Sequence, residues 1–449
     1  MRDKFKKKKI LSLIKTKTLY LILQVKIAII GYLLIRVKHL KPLIFITFCS
    51  SLLILSSSNI VLAQGSPWPW AFEGANFQIT NNSEDDFSPS IASSSGFKSF
   101  YLVVYYRKTP SGFDIYGNRV TKDGGILDGK GIPICTASND QMFPAVAWDG
   151  NHFLVVWQDH RSGKRWDIYG ARVALDGQVL EPNGFPIVVG KNSFDQISPK
   201  LSFDGENYIV VWRGKKTSSI YNIYFKLISK NGEVLSDKSL PVNSSSKDQA
   251  SPSVDFDGIN YFIVWQDLRD GDFWNIYGAR VTPDGVVLDS TGIRIPYSED
   301  SPLDRWRPVL SWNGEHYLVV WMVSYEINQW DLYGKRVGPF GNVVDLIDIP
   351  IQEDGINKTS PAIFWSGEEY LLAWEEKPVG SSTIFGSSIA SDYRLLISEK
   401  NNVSPIEGTG ASLPALSGIG ENVLVVWEAM GAQGYWQIYG QFLAPYNVM

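Results

Sequence analysis

Residues 144–189 read PAVAWDGNHFLVVWQDHRSGKRWDIYGARVALDGQVLEPNGFPIVV, and this text returns with drift six more times along the chain. Its leading proline recurs at Pro89, Pro144, Pro199, Pro252, Pro308, Pro361 and Pro414, in steps of 53 to 56 residues. A central aromatic keeps the same step at Tyr105, Trp157, Trp212, Trp265, Trp321, Trp374 and Trp427. So does the aromatic of the "IYG" triplet: Tyr116, Tyr169, Tyr224, Tyr277, Tyr333, Phe385 and Tyr439. Three markers in register over seven copies define an internal repeat, and a period of this length built from strands marks a propeller-type array.

Each copy holds four strand-like runs. PAVAW alternates small and apolar residues, and HFLVVW is apolar almost throughout, as for a strand covered on both faces. DIYGARV is rich in aromatic and β-branched residues, and FPIVV is short, which suits an outer edge. Asp149-Gly150 and Asp176-Gly177 supply the positive-φ dipeptides of tight hairpins. The fold class predicted is therefore all-β, a seven-bladed β-propeller. The copy opened by Pro414 runs out of chain after its third strand, while Phe77–Thr80 precedes Pro89 as Phe185–Val188 precedes Pro199. The N-terminal strand is expected to complete the last blade and leave no open edge.

The 449 residues would ordinarily suggest several domains, but blades bury their faces only against each other, so one propeller over 76–449 is expected, after a Pro/Trp-rich linker at 64–75. Residues 1–63 differ in kind. Lys and Arg number 12 before Pro42 against the single acid Asp3, and the apolar run Leu43–Leu55 leads to Ala63. That order reads as a secretory signal cut after Ala63, which predicts a secreted, extracellular or periplasmic protein. An uncleaved anchor over 43–62 is the alternative, and only with it a membrane contact. A start of translation near Val37 accounts for the earlier apolar run Leu19–Ile35. Without residues 1–63 the chain keeps 30 basic and 45 acidic residues, a surface that repels nucleic acid. Cys135 is then the only cysteine, so packing rather than a disulfide must stabilise the ring.

Comparison between copies separates scaffold from specialisation. The shared tryptophan is read as filling the space between blades, and the IYG glycine as a bulge or a close approach. Arg119, Arg172, Arg280 and Arg336, two places further on, are read as partners of nearby acids. Four residues before the leading prolines stand Asp85, Asp140, Asp195, Asp248 and Asp304, then Asn357 and Gly410. These aspartates either cap local backbone N–H groups or form a cation-attracting mouth to the channel, for which Ca²⁺ is the fitting ion. Turns between strands one and two and between three and four are tight, so function is expected on the opposite face, where the loops are longer. Its distinctive groups are Asp159, Arg161 and Trp166 in one copy, Asp267, Arg269 and Trp274 in another, and Trp306 between blades. They are candidate ligand contacts, and Asp159/Arg161 and Asp267/Arg269 are equally candidate salt-bridged staples.

Histidine spacing for a metal, a Gly-x-Ser-x-Gly elbow, a phosphate-binding loop and a sialidase-type Ser-x-Asp-x-Gly-x-Thr-Trp box are all missing from the sequence. No cofactor is therefore expected beyond that calcium reading. The recurring text, DG-x-x-Y-hydrophobic-VVW-x-D, then DIYG-x-RV, then DG, resembles repeats of secreted bacterial β-propeller proteins, and is distantly similar to TolB/WD40-like propeller repeats. The resemblance implies the fold and leaves the activity open, because propellers host enzymes and scaffolds alike. The expected function is a non-catalytic binding or scaffold propeller that presents its loop-rich face to a protein or polysaccharide. A carbohydrate-active hydrolase or lyase acting at an acidic funnel is the alternative.

Overall fold

The computed structural model describes residues 70–445 apart from 97–98, 190–193, 218, 297–302, 327–328, 378–380, 391–398 and 405–409. The signal and anchor readings of residues 1–63 fall outside the described residues. Every regular element described is a strand, and the strands form seven four-stranded antiparallel sheets. The first strands are Asp86–Ser93, Gln141–Trp148, Gln196–Phe203, Gln249–Phe256, Asp304–Trp312, Asn357–Trp365 and Ser412–Ile419. Each packs against the first strand of both neighbouring blades, and the series closes on itself. These seven strands therefore surround the axis of a seven-bladed propeller.

The second strands are the structural heart of each blade. Trp157, Trp212, Trp265, Trp321, Trp374 and Trp427 are buried, with Tyr105 in the same place in blade 1. Successive residues serve opposite neighbours. Leu102 and Val104 of blade 1 pack with Val155 and Trp157 of blade 2, whereas Tyr101, Val103 and Tyr105 pack with Leu424 and Val426 of blade 7. A strand sandwiched between two sheets has no polar face, which explains the almost unbroken apolar runs. Each buried indole removes on the order of 5 kcal/mol of apolar surface from water, before entropy is set against it.

The leading proline leaves a repeated mark. In all seven first strands the ladder shifts register across the residue before that proline and the proline itself. Those preceding residues, Ser88, Phe143, Ser198, Ser251, Arg307, Ser360 and Leu413, all have φ between 50° and 54°. Proline has no N–H for the ladder, so the strand bulges around it. The inner strands consequently begin ahead of the proline rather than at it, as at Gln141 in blade 2. The freed N–H groups are taken up between blades: Ser198 N donates to Gln158 Oε1 at 3.1 Å and Ser88 N to Glu428 Oε2 at 2.6 Å.

At the IYG glycine the ladder with the second strand is regular, and close approach is the reason for glycine. A Cβ on Gly170 would stand 2.9 Å from Ile187 Cδ1 and 3.2 Å from the Val155 oxygen. At Gly184, with φ of 76°, a Cβ would overlap the Trp157 ring.

The last blade is completed from the chain's other end. Trp70–Gln78 pairs antiparallel with Trp436–Pro445, from Trp70↔Pro445 to Gln78↔Tyr439, with one shift of register between Glu73 and Phe77. The closing strand starts earlier than the sequence suggests: Trp70, read above as linker, is 7% exposed and packs with Trp427, Tyr439 and Leu443. An aromatic beside prolines resembles a linker in sequence, but here it has a hydrophobic site to fill.

Candidate functional site

The face that carries the second-to-third and interblade loops is built on the aspartates ahead of the bulge. Asp140 Oδ1 accepts the N–H of Phe113 at 3.1 Å, and Asp195 that of Trp166 at 3.1 Å. Asp248 does the same for Tyr221 at 2.8 Å, Asp304 for Trp274 at 2.9 Å, and Asp85 for Trp436 at 2.9 Å across the ring closure. Each bond reaches the start of the third strand in the preceding blade. The main-chain oxygens of Asp85, Asp140, Asp195 and Asp248 meanwhile accept from Lys108, His160, Lys215 and Leu268, at or just past the ends of their own second strands. The five aspartates thus cap backbone N–H groups across the blade boundaries. Among the described residues no three His, Cys, Asp or Glu side chains are arranged to hold a metal ion.

Asp159 and Asp267 sit deeper. The Asp159 side chain is fully enclosed, accepting from Trp157 Nε1 at 2.8 Å and from Arg161 Nη2 at 2.6 Å. Arg161 then lies over the Tyr169 ring, 3.8 Å from its centroid, and donates to Asn183 O at 2.8 Å. Blade 4 repeats the arrangement: Trp265 Nε1 to Asp267 at 2.8 Å, Arg269 paired with Asp267, and the guanidinium 4.2 Å above Tyr277. These are staples that bind the shared indole, the loop and the IYG aromatic into one block. The same block exists in two blades where no Asp-x-Arg pair follows the central aromatic. In blade 1 the charges are exchanged, with Arg107 two places after Tyr105 paired to Asp86 at 2.7 Å and stacked 4.4 Å over Tyr116. In blade 6 Lys400 supplies the cation from far along the chain, 2.8 Å from Glu376 and 5.0 Å above Phe385. The arginines after IYG are likewise structural: Arg119, Arg172, Arg280 and Arg336 pair with Asp128, Glu181, Asp289 and Asp345, each nine residues on.

With those groups committed, the aromatic side chains distinguish this face. Trp166 lies 5.0 Å from His160 in blade 2. Across blades 4 and 5, Trp274 and Trp306 are 6.3 Å apart in a T-shaped contact, and Trp306 lies 5.4 Å from Trp330. All three indoles are half-buried, with Phe273 exposed beside them. The structure thus brings together Trp274 and Trp306 of the candidates, adds Trp330, and leaves Trp166 with His160 apart from them. Trp330 stands near the start of its third strand, three residues before Tyr333, the repeat position that holds Phe113, Trp166, Tyr221, Trp274 and Trp436 in other copies, so comparison of the copies could have found it.

No family model matches the chain, and no curated protein matches its sequence. Solved structures do. A Dyadobacter fermentans protein of unknown function is similar over 84% of this chain and 99% of its own, at 10% identity and a TM-score of 0.49. A puromycin-hydrolysing peptidase of Mycobacterium tuberculosis is similar at 12% identity and a TM-score of 0.51, over 84% of this chain. The chain spans about half of that peptidase, 54% of its length. An α-L-arabinofuranosidase from Lactobacillus brevis is similar over 54% of this chain, at 11% identity and a TM-score of 0.37. These likenesses show the fold alone.

Proposed function

We propose that this chain is a secreted or periplasmic binding module whose loop-rich face holds a polysaccharide without cleaving it. The observation that carries the reading is the group of three half-buried indoles, Trp274, Trp306 and Trp330, on that face. Indole faces offer large apolar area at small entropic cost, and their N–H edges bond hydroxyls, which suits sugar rings. The carboxylates there support binding over hydrolysis: Asp159 and Asp267 are held by indole and guanidinium partners, and the aspartate ring by backbone N–H groups.

A glycan array read in parallel with turnover assays tests this. Retention of a glycan without product is expected, and Trp306→Ala should weaken it by about 30-fold, the loss of a typical aromatic anchor of roughly 2 kcal/mol. Release of cleaved sugar would overturn the reading. Retention by no glycan, with a cell-envelope protein captured through Trp306, would replace the polysaccharide with a protein partner.

A further inference from the structure

The seven first strands have three exposed residues among them: Phe143, Lys200 and Arg307. Two of the three are cations, on a chain whose residues beyond 63 carry 45 acidic and 30 basic groups. Both stand at the level of the bulge, Lys200 directly after Pro199 in blade 3 and Arg307 as the positive-φ residue before Pro308 in blade 5. The Arg307 N–H is fixed to Gln266 Oε1 at 3.1 Å, and its Nη1 reaches along the ring to Ser360 Oγ at 3.1 Å. Serines occupy the equivalent bulge positions of blades 1, 3, 4 and 6, namely Ser88, Ser198, Ser251 and Ser360.

Most cations that staple the blades at this face are paired with carboxylates: Arg107 with Asp86, Arg161 with Asp159, Arg269 with Asp267, Lys358 with Asp331 and Lys400 with Glu376; Arg213 instead lies over Tyr221 and donates to the Gln249 main-chain oxygen. Among the described residues Lys200 and Arg307 have no acidic partner. Lys200 is reachable by solvent yet surrounded by protein, as a group on the wall of a narrow channel is. That enclosure holds its ammonium below the usual lysine range, and the charge of Arg307 lowers it further. Two like charges exposed at one level of the inner strands, with no carboxylate bonded to either, are costly, and an anion bound there relieves both desolvation and repulsion.

We propose that the channel, just inside the loop-rich mouth, binds an oxyanion between Lys200 and Arg307: the carboxylate, sulfate or phosphate group of a ligand. The site stands independently of the indole surface. Arginine supplies a planar fork and lysine a point charge, a pairing suited to such groups.

The test is titration calorimetry on the full-length chain with two probes, inorganic phosphate and a uronic-acid oligosaccharide, at ionic strength fixed with chloride. Saturable binding is expected, weakened at least tenfold in Lys200→Met and in Arg307→Gln. Phosphate should raise the unfolding temperature of the parent chain and not of the variants. Without phosphate, Lys200→Met should unfold no earlier than the parent, because it removes a repulsion, and this shows that the variant is folded. Binding of phosphate alone assigns the site to a free anion, and binding of the uronide alone assigns it to a polymer-borne carboxylate. Binding of neither probe, or binding indifferent to both substitutions, overturns the proposal. Glycan retention that needs Trp306 and survives Lys200→Met keeps this site distinct from the rim.

Discussion

At the scale of single residues, the staple around each indole decides how well a blade holds together. Asp159 is the centre of one, and removing it leaves the Trp157 N–H without its acceptor and the Arg161 guanidinium without its counter-charge, though still bonded to the Asn183 oxygen. Asp159→Ala should cost about 3 kcal/mol, the usual penalty for breaking a buried pair from one side. Arg161→Met added to it should return part of that loss. Denaturant unfolding of the single and double variants checks this, and a single-variant loss below about 1 kcal/mol would contradict the staple. Blade 5 is the natural contrast, since Val323 stands where the acid would be and Trp321 Nε1 is buried without a partner. A second residue sets a pH dependence. Asp255 accepts from the N–H groups of Phe256 and Trp312, both at 2.9 Å, but burial outweighs these bonds and pushes its carboxyl up from 3.8 to about 6. A folded-state pKa above the unfolded one means the folded chain binds the extra proton, so this contribution to stability falls as pH rises from about 4 to about 6. Asp255→Asn should therefore gain on the parent chain across that window, by on the order of 3 kcal/mol between pH 4 and pH 7. Unfolding measured at intervals from pH 4 to pH 7 reads the difference, and a constant gap between the two chains would refute the assignment.

At the scale of elements, what could be read from the sequence was whatever repeats. Proline, indole and IYG positions gave the strand count, the order and the tight turns, because close packing tolerates little else at those sites. The bulge was hidden, since nothing in PAVAW distinguishes a strand that starts at the proline from one that starts three residues earlier and detours around it. The staples were legible only where acid and base lie two apart, as in Asp159 and Arg161. Exchange of charge between strands, as in Asp86 and Arg107, or a cation drawn from Lys400, leaves no pattern of fixed spacing. The aspartate ring was visible as a pattern, with capping and cation binding both open. Hydrogen-bond geometry favours capping, because each carboxylate meets an N–H of the neighbouring blade. The indole surface was half legible: Trp274 and Trp330 hold one repeat position in successive copies, whereas Trp306 meets both only through the fold.

At the scale of the whole molecule, stability rests on a ring in which each sheet is buried only by its neighbours. An open blade would expose two faces and an unpaired edge, so the strand Trp70–Gln78 joining Trp436–Pro445 is the element on which the account turns. Ala71 and Ala444 face each other in that ladder, and cysteines at both positions test it directly. Buried Cys135, whose thiol burial pushes up to about 11, should stay out of the reaction. Ala71→Cys with Ala444→Cys should form an intrachain disulfide under mild oxidation and unfold at a higher temperature than its reduced form. Free thiols after oxidation, or cross-links only between chains, would show that the ends of the chain do not meet in one sheet.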